Sequence, residues 1–281
     1  MNTTFTTVTS ADGTPIAVER TGDGRPVILI GGAFNDRSTV AGLAAVLAPD
    51  VTAFAYDRRG RGDSGDRTDS GDRADSGDRA DSGDSLAVER ELEDLAAVIK
   101  HAGGSAAVFG HSSGGVLALE AARRRLAVDK LAVYEPSYVP DGTRARPAAD
   151  MIDRIRALLA AGQRDEAAAL FMTEQVGVPA EMVGGMRASE MWGWFTGLAH
   201  TLPYDLAVCG PGCVLPADRL ATIEVPALAI DGGESWDWIR AATRGVADAI
   251  PGARYVTLDG QDHGVLNQPE ALRPVLIDFL G

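Results

Sequence analysis

At 281 residues, 45% of them hydrophobic and 23% charged, the chain has the length and composition of one large α/β domain with an excursion, and none of its apolar runs approaches the roughly 20 residues of a membrane helix. Its formal charge of −14 argues against nucleic acid or an anionic membrane as a partner. The opening Met-Asn-Thr-Thr-Phe-Thr-Thr has no basic region and no apolar core, and the cysteines are only Cys209 and Cys213, so a cytoplasmic protein with reduced thiols is expected.

Residues 4–9 and 15–20, separated by Ala11-Asp12-Gly13, read as an antiparallel hairpin. Residues 26–30 form a short continuous apolar run, the pattern of a strand buried on both faces. Gly31-Gly32-Ala33-Phe34 breaks it, and 36–47 has helical spacing. A second buried strand over 51–56 ends in Asp57-Arg58-Arg59-Gly60-Arg61-Gly62-Asp63-Ser64. The spacing of Leu92, Leu95, Ala96 and Ile99 predicts a helix over 87–101. Further strands are expected at 106–109, 130–135, 225–231 and 254–258, each followed by a helical stretch or a loop. Strands alternating with helices over this length imply a doubly wound, mostly parallel sheet.

Two segments interrupt the rhythm. Residues 63–84 repeat Asp-Ser-Gly-Asp-Arg-Thr/Ala in tandem, and over 63–85 eight aspartates and three arginines supply −5 of the net charge. Without a large apolar side chain this stretch cannot offset the entropy of ordering, so a flexible acidic surface loop is expected over 63–85, weak cation binding being the functional alternative. Residues 137–219 lack strands and read as a helical cap between a core of 1–136 and 220–281, with amphipathic helices at 151–161 and 164–176. Met182, Met186, Met191, Trp192, Trp194 and Phe195 concentrate soft apolar surface there, part of it cap packing and part lining an apolar pocket; Phe34, Trp192 and Phe195 are the candidates to touch a substrate.

The chemistry centres on Gly110-His111-Ser112-Ser113-Gly114, a G-x-S-x-G sequence between an apolar strand and an alanine-rich helix. A strand that turns at once into a helix strains the central serine, and side chains two residues to either side would collide. A serine nucleophile needs a histidine base oriented by an acid. Of the four histidines, His111 is expected to point away from the site, His101 ends a helix, and His200 lies in the cap. His263, in Asp259-Gly260-Gln261-Asp262-His263-Gly264 after the last strand, satisfies the chain order serine, acid, histidine. Cys-x-x-x-Cys has no histidine pair beside it, so neither a metal nor any other cofactor is expected.

In its Gly-Gly-Ala, its Tyr-Asp-Arg-Arg-Gly-Arg-Gly-Asp-Ser, its elbow and its Gly-Gln-Asp-His, the chain resembles the α/β-hydrolase fold superfamily. The resemblance implies an eight-stranded sheet with a helical cap inserted after the sixth strand. It also implies an oxyanion hole built from the backbone N–H groups of Ala33 and Ser113. Gly31-Gly32 replaces the superfamily's common His-Gly pair, which leaves the backbone role intact. The acid divides the possibilities. Members most often carry it after the penultimate strand, where Ser235 stands here and Asp237 is shifted in register; a minority carry it one strand earlier, where Glu135 precedes Pro136. Glu135 is the first candidate and Asp237 the alternative. The implied activity is hydrolysis of a carboxylic ester, lactone or similar small acyl compound. A cofactor-independent lyase or cyclase on the same fold, and a non-catalytic small-molecule-binding protein, are the other classes, and the oligomeric state is not legible.

Overall fold

The computed structural model describes residues 3–66 and 83–281. Its strands are β1 (Thr3–Thr9), β2 (Pro15–Thr21), β3 (Arg25–Ile30), β4 (Val51–Tyr56), β5 (Ala106–His111), β6 (Val128–Tyr134), β7 (Ala227–Gly232) and β8 (Arg254–Leu258). They form one eight-stranded sheet in the order β1-β2-β4-β3-β5-β6-β7-β8. The β1–β2 and β2–β4 pairings are antiparallel, and the rest of the sheet is parallel.

The parallel strands are apolar on both faces because helices cover both. Along β3, Val27 and Leu29 enter one core with α1 (Arg37–Leu47), while Ile28 and Ile30 enter the other with α2 (Gly83–His101) and α3 (Ser113–Arg123). Each such side chain contributes about 1.5–3 kcal/mol by leaving water. Asp36 starts α1 by accepting the Ser38 N–H at 2.8 Å, which satisfies one of the orphan donors of the first turn.

The helical cap follows β6, the sixth strand: α4 (Met151–Ala160), α5 (Arg164–Leu170) continuing as a π-helical turn over Phe171–Val176, α6 (Ala180–Arg187), α7 (Trp192–Leu198), α8 (Leu202–Cys209) and α9 (Ala217–Leu220). It has its own apolar cluster, into which the core contributes Phe34. The chain then returns through β7, α10 (Asp237–Ala249), β8 and α11 (Arg273–Leu280).

Both described ends of the loop expected over 63–85 are built into the fold. Asp63 to Asp66 are tied down: Ser64 Oγ donates to Asp57 O at 2.7 Å and accepts from Ala17 N at 2.9 Å, and Gly65 N donates to Pro15 O at 2.8 Å. At the other end Gly83 and Asp84 already belong to α2. The intervening residues 67–82 lie outside those described, and with them the expectations of flexibility and of weak cation binding.

The loop after β4 buries three arginines, Arg58, Arg59 and Arg61, each at most 2% exposed. Burial is tolerated only because each has carboxylate partners. Arg59 pairs with Asp94 of α2 at 2.7 Å; Arg58 lies between Glu91 at 2.5 Å and Asp205 at 2.7 Å. Arg61 takes the second Asp205 oxygen at 2.7 Å. Asp205 belongs to α8, so this cluster fastens the cap to the sheet. Burial alone would raise its carboxyl, but the Arg61 and Arg58 charges hold it below the ordinary aspartate value. Replacing Asp205 by Asn should lower stability by about 3–5 kcal/mol, because it leaves Arg61 buried without an anion; the midpoint of urea unfolding measures this.

Candidate active site

The direction of chain winding reverses between β3 and β5. From β3 the chain crosses through α1 to β4 on one side, and from β4 it crosses back through α2 to β5 on the other. In an open α/β sheet such a reversal opens a crevice at the carboxyl ends of the strands. Three non-glycine residues there have left-handed backbones: Phe34 after β3 (φ 58°), Ser112 after β5 (φ 57°) and Glu135 after β6 (φ 47°). Conformations of this kind cost about 1–3 kcal/mol each and persist where the surroundings enforce them. At Ser112 the enforcement is steric. A Cβ on Gly110 would lie 2.4 Å from Gly114 O, and one on Gly114 would lie 2.5 Å from Gly31 O.

His263 follows β8 and reaches back over the sheet. Its Nδ1 lies 2.6 Å from Glu135 Oε2, and the other Glu135 oxygen accepts the Gly232 N–H at 2.8 Å. Glu135 is inaccessible to solvent, whereas the His263 side chain is 35% exposed. Burial alone would raise the Glu135 carboxyl; the hydrogen bond and charge of His263, with the Gly232 N–H, hold it below its ordinary value. A carboxylate at Nδ1 demands the proton on that nitrogen, so Nε2 keeps its lone pair. Asp237, the alternative acid, is exposed at the start of α10 and makes no hydrogen bond with His263 among the described residues.

His111 is not remote from the chemistry. Its ring lies between Tyr134 and His263, with centroids 5.8 and 4.7 Å away, and its Nε2 donates to the His263 carbonyl at 2.9 Å. The Tyr134 hydroxyl donates to the neighbouring Asp262 carbonyl at 2.7 Å. Two side chains of the elbow region thus hold the histidine loop by its backbone. The Ser112 hydroxyl itself shares a hydrogen bond with Ser137 Oγ at 2.9 Å.

The two backbone donors are oriented from behind. The Gly32 carbonyl accepts from Arg61 Nη1 at 2.5 Å, and Gly32 N–H is held by Asn35 Oδ1 at 2.9 Å. In a trans peptide the Ala33 N–H must then point the opposite way from Arg61. The Ser112 carbonyl accepts from Gly115 and Val116, which turns the Ser113 N–H away from α3. Neither N–H has an acceptor among the described residues. The Ser113 side chain donates to Asp205 at 2.7 Å, joining this corner to the buried arginines.

Ala33, Ser112, Ser113 and His263 share one cavity of about 290 Å³. Its apolar wall includes Phe34, whose ring meets Phe171 and Phe195 edge-on at 5.5 and 5.2 Å. Of the three residues expected to touch a substrate, Phe34 and Phe195 line this cavity. Trp192 does not: it is buried in the cap, its Nε1 bonded to Asp165 and its ring under Arg187. The indoles on the cavity wall are Trp236 and Trp238, which flank the candidate acid Asp237 outside the cap and carry no pocket signal in the sequence. Ser137 and Asp205 were missed as well. The first follows Glu135-Pro136 directly, while nothing in the sequence ties Asp205 to arginines 144 and 147 residues away. Among the described residues no group of three or more His, Cys, Asp or Glu is placed to hold a metal ion.

This architecture has known counterparts. The chain belongs to the alpha/beta hydrolase family, whose profile matches residues 23–275. An alpha/beta hydrolase from Sphaerobacter thermophilus is 49% identical over 98% of this chain and 100% of its own, with a TM-score of 0.85. An esterase from Thermogutta terrifontis (21% identity, 99% of this chain and 98% of its own, TM-score 0.65) and an enol-lactonase from Burkholderia xenovorans (21%, 99% of both chains, 0.65) share the fold. No curated protein matches in sequence. No helix of the described residues is long and apolar enough to cross a membrane.

Burial, and after it the charge of His263, pushes the His111 imidazole down to about 3 from an ordinary 6.5. As pH falls through that interval the unfolded chain binds a proton that the folded His111 refuses, so stability drops toward acid by up to about 1.4 kcal/mol per pH unit. His111→Gln, which keeps a donor for the His263 carbonyl, should remove this part of the slope. Urea midpoints compared at pH 7 and pH 5 would then lie closer together than in the wild type.

Proposed function

We propose that the protein is a serine hydrolase of carboxylic esters, lactones or similar small acyl compounds, working through an acyl-enzyme. The observation that carries this reading is a strained elbow serine in one cavity with a histidine whose Nδ1 is held by a buried, ionised glutamate. The esterase and the enol-lactonase of the same fold carry out the two kinds of acyl chemistry named here, which supports the reading without fixing the substrate.

In this mechanism the Ser112 hydroxyl turns from Ser137 to His263 Nε2, which takes its proton as the oxygen attacks the acyl carbon. Glu135 stabilises the imidazolium and keeps the Nδ1 proton in place. The developing oxyanion is received by the Ala33 and Ser113 N–H groups. His263 then gives the proton to the leaving group, and its partial exposure admits the water that it activates to release the acid. Trp236, Trp238, Phe34 and Phe195 hold the acyl part by apolar contact.

With p-nitrophenyl acetate as substrate, Ser112→Ala should lower kcat by about 10⁴–10⁶-fold. Glu135→Gln should lower it by about 10³–10⁴-fold, because an amide facing Nδ1 moves the imidazole proton to Nε2. Asp237→Asn should stay within about two-fold, as expected of a surface change away from the site. Stopped-flow turnover and mass-spectrometric detection of an acyl group on Ser112 check these outcomes. Full activity in Ser112→Ala, or loss in Asp237→Asn with none in Glu135→Gln, would overturn the assignment.

A further inference from the structure

Arg144, between β6 and α4, lines the candidate catalytic cavity. Its guanidinium carbon stands 4.2 Å over the Trp238 ring, and Nη2 donates to the Gln175 carbonyl at 2.5 Å. Nε is buried and has no hydrogen-bond partner. Among the described residues Nη1 has no acceptor and no carboxylate pairs with this cation. Burial pulls its pKa below the ordinary arginine value, opposed by the negative charge that Cys213 would carry as a thiolate.

Arg58, Arg59 and Arg61 indicate what burial of a guanidinium requires, since each has a carboxylate at 2.5–2.7 Å. Arg144 is the one lysine or arginine among the described lining residues, and the one acid, Asp205, has its oxygens taken by Arg58, Arg61 and Ser113. Over the Trp238 indole, and with Nη1 lacking an acceptor among the described residues, the guanidinium keeps hydrogen-bonding capacity at the cavity wall. That geometry matches a carboxylate better than any neutral group.

We propose that Arg144 is the anion subsite of the cavity, and that the substrate is a small ester or lactone bearing a free carboxylate remote from the reacting carbonyl. This rests on the acyl-hydrolase reading and narrows it to one substrate class, the half-esters of short dicarboxylic acids and their lactone equivalents. The cavity's size agrees, since about 290 Å³ is at the low end of the ~300–1,000 Å³ of small-molecule sites. The guanidinium takes the remote carboxylate while Ser112 meets the ester, so the charge sets orientation as well as affinity.

The test uses two probes of equal carbon-chain length, monomethyl glutarate and methyl valerate, one charged and one neutral. Binding to Ser112→Ala is followed by quenching of the cavity tryptophans, and hydrolysis by the otherwise wild-type enzyme is followed by methanol release. Monomethyl glutarate should bind at least ten-fold more tightly than methyl valerate. Adding Arg144→Gln should bring the two within about two-fold by weakening only the charged probe, and Arg144→Lys should restore part of the preference. Equal binding of both probes to Ser112→Ala, or a preference that survives Arg144→Gln, would overturn the subsite, and the first of these outcomes does not depend on how well an Arg144 variant folds. Preferential binding with hydrolysis of neither probe would sustain the subsite and sink the acyl-hydrolase reading. Hydrolysis of both without preference would do the reverse.

Discussion

The Asp205 carboxylate is the joint on which this molecule turns. One oxygen receives Arg58 and the Ser113 hydroxyl, and the other receives Arg61. Arg61 in turn grips the Gly32 carbonyl. Through a single side chain the cap helix α8, the loop after β4, the turn after β3 and the first residue of α3 are held in mutual register. A buried ion cluster is a weak source of net stability, since desolvation consumes much of the Coulombic gain. Its value is geometric: charged, bidentate contacts have few acceptable arrangements, and the peptides that carry the Ala33 and Ser113 N–H groups are adjacent to two of them. The cap is thereby positioned by the same groups that aim the backbone donors.

The central strands were legible because burial on both faces leaves an apolar run, and β4 begins and ends where its run does. The elbow was legible for a different reason. Its glycines are demanded by contacts of 2.4 and 2.5 Å within a few residues, so local sequence carries the constraint. The acid could not be settled in that way. Glu135 and Asp237 both follow strands, and the choice between them depends on Gly232 and His263, 97 and 128 residues from Glu135, meeting at one oxygen pair. Contacts of that range leave no periodic trace. The cap was harder still, because helices that bury one face against an irregular partner use the same Trp and Phe for packing and for lining. Trp192 has the composition of a pocket residue and is a packing one, while Trp236 and Trp238 lie on the returning chain, outside the segment where a pocket wall was sought.

His111 illustrates how a motif position can be filled for two reasons at once. As a residue of the elbow it must be buried, and a buried imidazole is kept neutral. A neutral ring has one donor, which goes to the His263 carbonyl. His111 therefore fixes the backbone of His263, while Tyr134 fixes the preceding residue and Glu135 fixes the ring. Three consecutive supports from β5 and β6 leave the histidine loop little freedom, although its side chain remains open to water.

The charge distribution separates what the surface does from what the cavity does. A net −14 repels anions at long range, yet at physiological salt such fields decay over about 8 Å. Inside the cavity the nearest charges dominate. There the Asp205 charge is cancelled by its arginines and the Glu135 charge is turned toward His263, so the field a ligand meets is that of Arg144 on its indole. An acidic exterior and a cationic pocket wall are compatible because they act at different distances, the first on solubility and the second on the orientation of whatever enters.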